Sequence, residues 1–292
     1  MKKILITGAD SYIGTCVEKY LLSWPDRYQV DTVDMRNETW QQTSFANYDC
    51  VFHVAGIAHA DSGPISPDRA ALYYAVNRDL AVQTAQKAKA DGAKQFIFMS
   101  SAIVYGHSAP IGKEKIITQD TLPAPANCYA DSKLQAEAGI LPMNGDGFKV
   151  VVLRPPMIYG PGCRGNYPVL SKLARKLPVF PVADNRRSML YVKNLAEFVR
   201  LMIENEEQGI FWPQNAEYSN TAQLVCMIAK VHGKRICLVK GFAWALKGLS
   251  HVTGLVNKAF GSLCYDMAMS RYKQPYQLYT LEKSIEETEK PV

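Results

Sequence analysis

Short apolar runs alternate with stretches of helical spacing through the first half of the chain. Lys3-Ile4-Leu5-Ile6-Thr7 is apolar without alternation, the pattern of a strand covered on both faces. A glycine turn from Thr7 to Gly14 follows, then a helical stretch from Thr15 to Ser23 that Trp24-Pro25 stops. Tyr28 to Val33 reads as a second strand, ending at Asp34. Asn37 to Tyr48 is too short for a further strand and its crossover helix. Asp49 to Gly56 is a buried strand with small residues at its carboxyl end, and Tyr73 to Asp91 a long helix closed by Gly92. Gln95 to Met99 is another strand, followed by Ser100 to Gly106. After a loop with Pro123 and Pro125 comes a helix from Tyr129 toward Ile140, then a strand from Phe148 to Leu153. Strands alternating with helices predict an α/β fold with a doubly wound parallel sheet.

Beyond Gly160-Pro161-Gly162 the pattern loosens. Asn166 to Lys176 reads as a helix, Leu177 to Val182 as an extended link, and Met189 to Val192 as a short strand. Leu195 to Asn205 is helical and Gly209 to Pro213 a returning strand. A helix from Thr221, a strand from Arg235 to Val239 and further helices, one set from Gly241 to Leu263, complete the chain, with a charged tail from Glu282 that is loose at its end. The expected division is a larger domain of residues 1–155 that also receives 189–213, and a smaller, discontinuous one of 156–188 and 214–292.

The 292 residues have ordinary globular composition, and their 10% aromatic content argues against disorder. The net charge of +6 is modest and has no basic run behind it, so nucleic acid is not an expected partner. Seven widely spaced cysteines without a C-x-x-C or zinc pattern point to reduced thiols and a cytoplasmic protein. No metal site is expected. The start, Met1-Lys2-Lys3 and a few apolar residues, is too short for a signal peptide, and no apolar run reaches the ~18 residues of a membrane span.

Two features carry chemistry. The first is strand, glycine turn, helix, strand, acid. Gly8 permits a tight turn and close backbone approach to a pyrophosphate, the helix N-terminus presents free N–H groups to it, and Gly14 lets helix and strand pack closely. Asp34 follows Gly14 by about 20 residues, the spacing of a carboxylate that binds ribose hydroxyls of NAD. Arg36 offers a partner to a 2′-phosphate, but Asp34 repels one, so the pattern favours NAD over NADP. The second feature is Tyr129 and Lys133, four apart and hence on one helix face. A cation within about 4–6 Å favours the phenolate and makes the tyrosine a better proton carrier. Tyr279 and Lys283 have the same spacing without the same surroundings. His53, in an apolar strand, reads as a core histidine, while His59 and Asp61 just beyond it are weak site candidates.

In order along the chain stand the Thr7–Gly14 turn, Asp34, His53-Val54-Ala55-Gly56, Asn77, Ser101 to Gly106, Tyr129 with Lys133, Leu153-Arg154-Pro155, and Arg187 ahead of Tyr191-Val192. This ordered set resembles the extended short-chain dehydrogenase/reductase family, in its NAD-dependent epimerase/dehydratase branch, from Ile4 to about Asn215. The resemblance implies a Rossmann-type domain with Tyr129 as general acid/base and Ser101 bonded to the reacting oxygen. Lys133 would bind the nicotinamide ribose and depress the tyrosine pKa. Gly8, Tyr12, Ile13 and Asp34 would hold the adenosine half of NAD, Ala55 and Gly56 would line the pyrophosphate path, and Gly14 and Asn77 belong to the same cofactor set. Arg187 would reach a substrate pyrophosphate, with Tyr159 and Asn166 as further candidate substrate contacts. The implied activity is epimerisation of a nucleotide sugar at C4, with keto-sugar or other ketone reduction, or non-catalytic dinucleotide binding, as alternatives. A homodimer is the oligomer the resemblance suggests.

The chain departs from the family pattern at several places. Dehydratases of the family carry Asp-Glu after the Ser/Thr, where this chain has Ala102 and Ile103, so dehydration is not expected. Ser11 replaces the middle glycine of the turn, Met157 an asparagine that often helps hold the nucleotide sugar, and Lys193-Asn194 an Asp-Asp pair.

Overall fold

The computed structural model describes residues 1–58, 65–145, 147–182, 184–241 and 260–290. The chain falls into two compact units, one of 1–106, 122–155 and 195–213, the other of 107–121, 156–194 and 214–292.

The first unit is built on a parallel sheet of six strands. These are β1 (Lys2–Thr7), β2 (Tyr28–Val33), β3 (Cys50–His53), β4 (Gln95–Met99), β6 (Lys149–Leu153) and β10 (Gly209–Phe211), in the order β10-β6-β4-β3-β1-β2. β2 is the edge strand, because residues 37–48 form only a 3-10 turn, Glu38–Gln42, capped by Asn37. Ile4–Ile6, Val51–Phe52, Phe96–Phe98 and Val150–Leu153 are all buried, which is why these runs carry no polar alternation. Helices α1 (Tyr12–Leu22), α2 (Pro67–Tyr74), α3 (Leu80–Ala90) and α4 (Cys128–Ile140) connect the strands. Ala81, Thr84, Ala85 and Ala88 are the buried face of α3, small enough for its backbone to lie close to its neighbours. α2 and α3 are joined by a π-helical segment, Ala75–Asp79, so the expected helix from Tyr73 begins earlier, at Pro67, and is underwound in its middle. From β1 the chain passes to β2 on one side and then to β3 on the other. The carboxyl ends of β1 and β3 are therefore the switch point where open α/β sheets bind ligands.

Among its described residues the second unit has three two-stranded parallel ladders. β7 (Met157–Tyr159) pairs with β9 (Met189–Tyr191), β8 (Val179–Pro181) with β11 (Cys237–Val239), and β5 (Ile116–Ile117) with β12 (Cys264–Tyr265). The last ladder, with a bridge from Ala109 to Ser262, is what draws 107–121 to the C-terminal segments and away from the N-terminal ones that adjoin it in sequence. Helices α5 (Asn166–Lys176) and α7 (Thr221–Val231) belong to this unit, and α6 (Val192–Glu204) continues into the first. The charged tail, expected to be loose at its end, contains a further helix, α8 (Leu281–Glu289), capped by Thr280 and burying Leu281, Ser284 and Ile285. The helices expected between Gly241 and Leu263 lie largely outside the described residues. Among the described residues no helix is long and apolar enough to cross a membrane.

Candidate active site

The glycine turn at the end of β1 has the backbone that its sequence demands. Gly8 sits at φ +105°, and a Cβ there would lie 2.8 Å from the backbone nitrogen of Ala55. Its N–H and that of Ala9 bond the carbonyl of Val33 at 2.9 and 3.1 Å, while Val54 and Ala55 both donate to the Thr7 carbonyl. The switch-point ends of β1 and β3 are thereby joined backbone to backbone, with no side chain between them. Ser11, the departure from the family pattern, caps α1, and its hydroxyl accepts from Gly14 N at 3.1 Å. A Cβ on Gly14 would come within 2.5 Å of that hydroxyl, so Ser11 itself explains part of the need for glycine at 14. Tyr12 and Ile13 form the first turn of α1 and are partly exposed.

Asp34 ends β2 as expected, but Arg36 folds back on it. The guanidinium makes bonds of 2.9, 3.0 and 2.7 Å to the carboxylate, and Asp10 lies 3.7 Å away. This pairing holds the Asp34 carboxyl below its usual range. Both carboxylate oxygens accept from Arg36, whose side chain is itself 75% exposed, so the pair sits at the surface as a neutralised carboxylate and not as a bare negative charge.

Tyr129 and Lys133 lie on α4, which Asn127 caps through Ala130 N at 2.8 Å. Ser101 caps the 3-10 turn Ala102–Tyr105 beyond β4, its hydroxyl accepting from Ile103 N at 3.3 Å, and it stands close enough to the Tyr129 phenol to pull that group's pKa down. The Lys133 ammonium donates to the Met99 carbonyl at 2.8 Å and lies 4.7 Å over the ring of Phe98. Asn77, wholly buried in the π segment, grips the backbone of Ile57 at both ends, accepting from its N–H at 2.8 Å and donating to its carbonyl at 3.2 Å, and also donates to Ser132. A Cβ on Gly56 would meet the Asn77 carboxamide at 2.9 Å and the Lys133 ammonium at 3.2 Å. Ser101 with Tyr129, and Lys133 with Asn77 and Gly56, are thus brought together. Asn77 acts on the Gly56–Ile57 backbone, because its polar atoms already have partners.

One expectation is overturned. The Tyr129 phenol is not made acidic by Lys133: burial pushes its pKa up, and Ser101 only partly opposes this. Burial acts on the lysine as well, pulling it down to about 8, with Glu137 opposing. One of its three donors goes to the Met99 carbonyl, and the ammonium lies over the Phe98 face.

His53 proves to be a core residue. Its Nδ1 lies 2.7 Å from the Thr7 hydroxyl, its ring stacks on Phe96 and Phe98, and burial drops its pKa to about 3. His59 and Asp61 lie outside the described residues. In the second unit Tyr159 is fully buried, its hydroxyl bonded to Ser284 at 2.5 Å and Asn215 at 2.9 Å, so it is a core tyrosine and not a substrate contact. Asn166 is exposed at the start of α5. Arg187 is held by backbone bonds with Ser219 in both directions, and burial lowers its pKa. The Lys193-Asn194 departure has a structural use. Lys193 pairs with Glu287 at 2.7 Å, and Asn194 clamps the backbone of Tyr279 through its carbonyl and N–H. Tyr279 precedes α8, so it and Lys283 do not share a helix face; Lys283 stacks over its ring at 5.3 Å.

Sequence reasoning missed a buried network beside the site. Glu137, one turn beyond Lys133, takes hydrogen bonds from Ser100 and from Arg154, and Arg154 continues to Tyr105. A carboxylate at four-residue spacing after Tyr129 and Lys133 was the available signal.

Among known proteins, a UDP-glucose 4-epimerase of Vibrio cholerae is 27% identical over 98% of this chain and 94% of its own. A GDP-6-deoxy-D-mannose reductase of Pseudomonas aeruginosa is 25% identical over 79% of this chain and 80% of its own. The structure of a UDP-glucuronic acid 4-epimerase from Bacillus cereus in complex with NAD has a similar fold, with a TM-score of 0.71 at 19% identity over 98% of this chain and 96% of that one. The model of the NAD dependent epimerase/dehydratase family matches residues 4–211, and with the sheet order, the glycine turn and the tyrosine helix this shows that the chain is an enzyme belonging to that family.

Proposed function

We propose that the protein is an NAD-dependent nucleotide-sugar epimerase, similar to UDP-glucose 4-epimerase. The observation that carries this reading is the convergence of Ser101, capping the turn after β4, on Tyr129 of α4, with Lys133 one turn along the same helix. The Gly8 turn, the N-terminus of α1 and Asp34 would hold the dinucleotide, and the missing Cβ at Gly8, where side-chain atoms would strike Ala55, fits a backbone cradle for its pyrophosphate. A bound nicotinamide supplies the acceptor and donor of the hydride.

The protein's part is proton traffic and orientation. In its phenolate form Tyr129 would take the proton of the sugar C4 hydroxyl, and as the resulting phenol it would return that proton to the carbonyl oxygen once the sugar has turned to present the other face of C4. Because burial keeps the phenol protonated, the proton-returning direction is the one for which the side chain stands ready. Ser101 donates to the same sugar oxygen and stabilises the phenolate when it forms. Lys133, charged at neutral pH, holds ribose hydroxyls and lends its field to the phenolate. Ala102 and Ile103 offer no acid or base to drive loss of water, which supports epimerisation over dehydration. Arg187, in the second unit, would take the substrate diphosphate, for which a guanidinium is suited; that unit would be the substrate-binding one.

A second reading, an NADPH-dependent keto-sugar reductase, has one observation in its favour. Arg36 neutralises Asp34 and presents an exposed cation where a 2′-phosphate would lie. One set of assays separates them. With UDP-glucose as probe, the epimerase forms its C4 epimer with no net change in NADH absorbance and no added NADPH, while a reductase consumes NADPH stoichiometrically with a keto sugar. Tyr129→Phe is expected to keep dinucleotide binding and lose at least ~10²-fold in turnover. Wild-type turnover in that variant removes Tyr129 from the mechanism.

A further inference from the structure

Tyr129, Lys133 and Glu137 follow one another at intervals of four on α4 and therefore line one face of it. The first two are the proposed proton carrier and its cationic neighbour. Glu137 is 2% exposed, and its carboxylate accepts from Arg154 through Nε at 3.1 Å and Nη2 at 2.5 Å. It accepts as well from the hydroxyl of Ser100, the residue just before Ser101. Arg154 directly follows β6. Its Nη1 donates to the Tyr105 hydroxyl at 2.7 Å, and Trp212 Nε1 donates to the same oxygen at 2.8 Å. Tyr105 closes the 3-10 turn that Ser101 caps. On the backbone, Ala102 N–H bonds the Pro155 carbonyl at 2.9 Å, and Ser100 N–H that of Leu153 at 2.8 Å.

Ser101 is thus pinned on both sides. Ser100 is tied by its side chain to the helix that carries Tyr129, and Tyr105 is tied to the guanidinium that grips the same helix. A buried ion pair of this kind is a poor source of net stability, since an apolar pair of similar volume commonly does as well. What it gives is a fixed geometry: two fork-shaped groups and a hydroxyl meet in only one arrangement.

We propose that Glu137 is a positioning residue, which with Arg154 sets the register of Ser101 against Tyr129 and holds a compensating charge one turn from Lys133. This rests on the function proposed above for those three residues. The electrostatic half of the role is specific. The groups facing Lys133 are Glu137 on its own helix, His53 from β3, and the Met99 carbonyl and Phe98 ring from β4. Those facing Glu137 are Arg154, Ser100 and Lys133. His53 is neutral and Tyr129 protonated near neutral pH, so Glu137 is the anion that supports the lysine's charge against burial.

The test uses the full chain with and without ligand. Glu137→Gln keeps the shape and removes the charge. In ligand-free protein labelled at lysine Cε, the Lys133 signal, assigned with Lys133→Met, is expected to titrate near pH 8 in the wild type and at lower pH in Glu137→Gln. In UDP-glucose turnover, kcat is expected to fall roughly 10- to 100-fold with KM little changed, the scale of a small misplacement of reacting groups. A glutamate that served only as structure would leave the lysine midpoint where it was, and an unmoved midpoint overturns the proposal. Should Glu137→Gln not fold, the pair Glu137→Leu with Arg154→Met replaces the ion pair by apolar groups. A folded double variant with wild-type kcat overturns the proposal, and one that folds but turns over slowly supports it. If the wild type does not act on UDP-glucose, the epimerase reading fails while the lysine titration still decides the role of Glu137.

Discussion

At the scale of single residues, the decisive correction concerns Tyr129 and Lys133. A lysine four residues from a tyrosine suggests a cation that acidifies a phenol, but desolvation acts on both groups and in opposite senses: it raises the phenol and lowers the ammonium. The shift of the lysine makes a stability prediction. Its folded pKa of about 8 lies below its ordinary 10.5, so between those values the unfolded chain binds the extra proton. Stability therefore rises with pH across that window, and the cost of burying the ammonium is fully present below pH 8. Lys133→Met carries no such cost. Its stability relative to wild type is expected to decline between pH 7.5 and 10.5, by on the order of 3 kcal/mol if the whole shift is expressed. Urea unfolding of both proteins at pH 7.5, 9 and 10.5 measures this, with tyrosine and cysteine titrations common to both. A difference that stays constant over that range would mean a lysine with an ordinary pKa.

At the scale of elements, what could be read from the chain was what depends on neighbours in sequence. The apolar runs of β1, β3, β4 and β6 announce buried strands, the short 37–48 segment announces a missing strand, and the Gly8–Gly14 spacing announces the turn. The π segment was not legible, because its cause is tertiary: Asn77 must reach Ile57 and Ser132 at once. Nor was the burial of Tyr159, since the groups that satisfy its hydroxyl come from positions 215 and 284. The Asn77 clamp carries its own prediction. Asn77→Ala leaves the Ile57 N–H and carbonyl without their partner beside Gly56. It is expected to cost about 1–3 kcal/mol in urea unfolding, the range for buried polar groups left unsatisfied. If the proposed dinucleotide site is correct, it is also expected to weaken binding of the dinucleotide in a fluorescence titration with NAD or NADP, because the Gly56 backbone loses its anchor. Unchanged stability and dinucleotide affinity together would show the clamp to be dispensable.

At the scale of the whole molecule, the chain assembles its second unit from three separated segments, and the links among them are short. β5 and β12 are two-residue strands, and β7 and β9 have three residues each. Such ladders hold few hydrogen bonds, so helix packing and polar links must supply the rest. α8 is central to this although the sequence around it reads as a charged tail: its acids are the partners of distant groups. Glu287 accepts from Tyr191 at 2.8 Å and from Lys193 at 2.7 Å, Glu289 from Ser171 at 2.8 Å with His232 at the same distance, and Ser284 meets Tyr159. Leu281 and Ile285 are buried between these contacts. A charge pattern alone cannot reveal this, because a carboxylate aimed at solvent and one aimed at a buried tyrosine look the same in sequence. Ending the chain after Thr280 removes both apolar anchors and leaves the Tyr159 and Tyr191 hydroxyls short of partners. Two buried aliphatic side chains at about 1.5–3 kcal/mol each, before the polar losses, amount to at least about 3 kcal/mol. The truncated chain is expected to lose a cooperative thermal transition or to melt well below the full chain, with 1-anilinonaphthalene-8-sulfonate binding reporting the exposed core. A melting curve and dye response matching those of the full chain would mean that α8 rests on the second unit without holding it together.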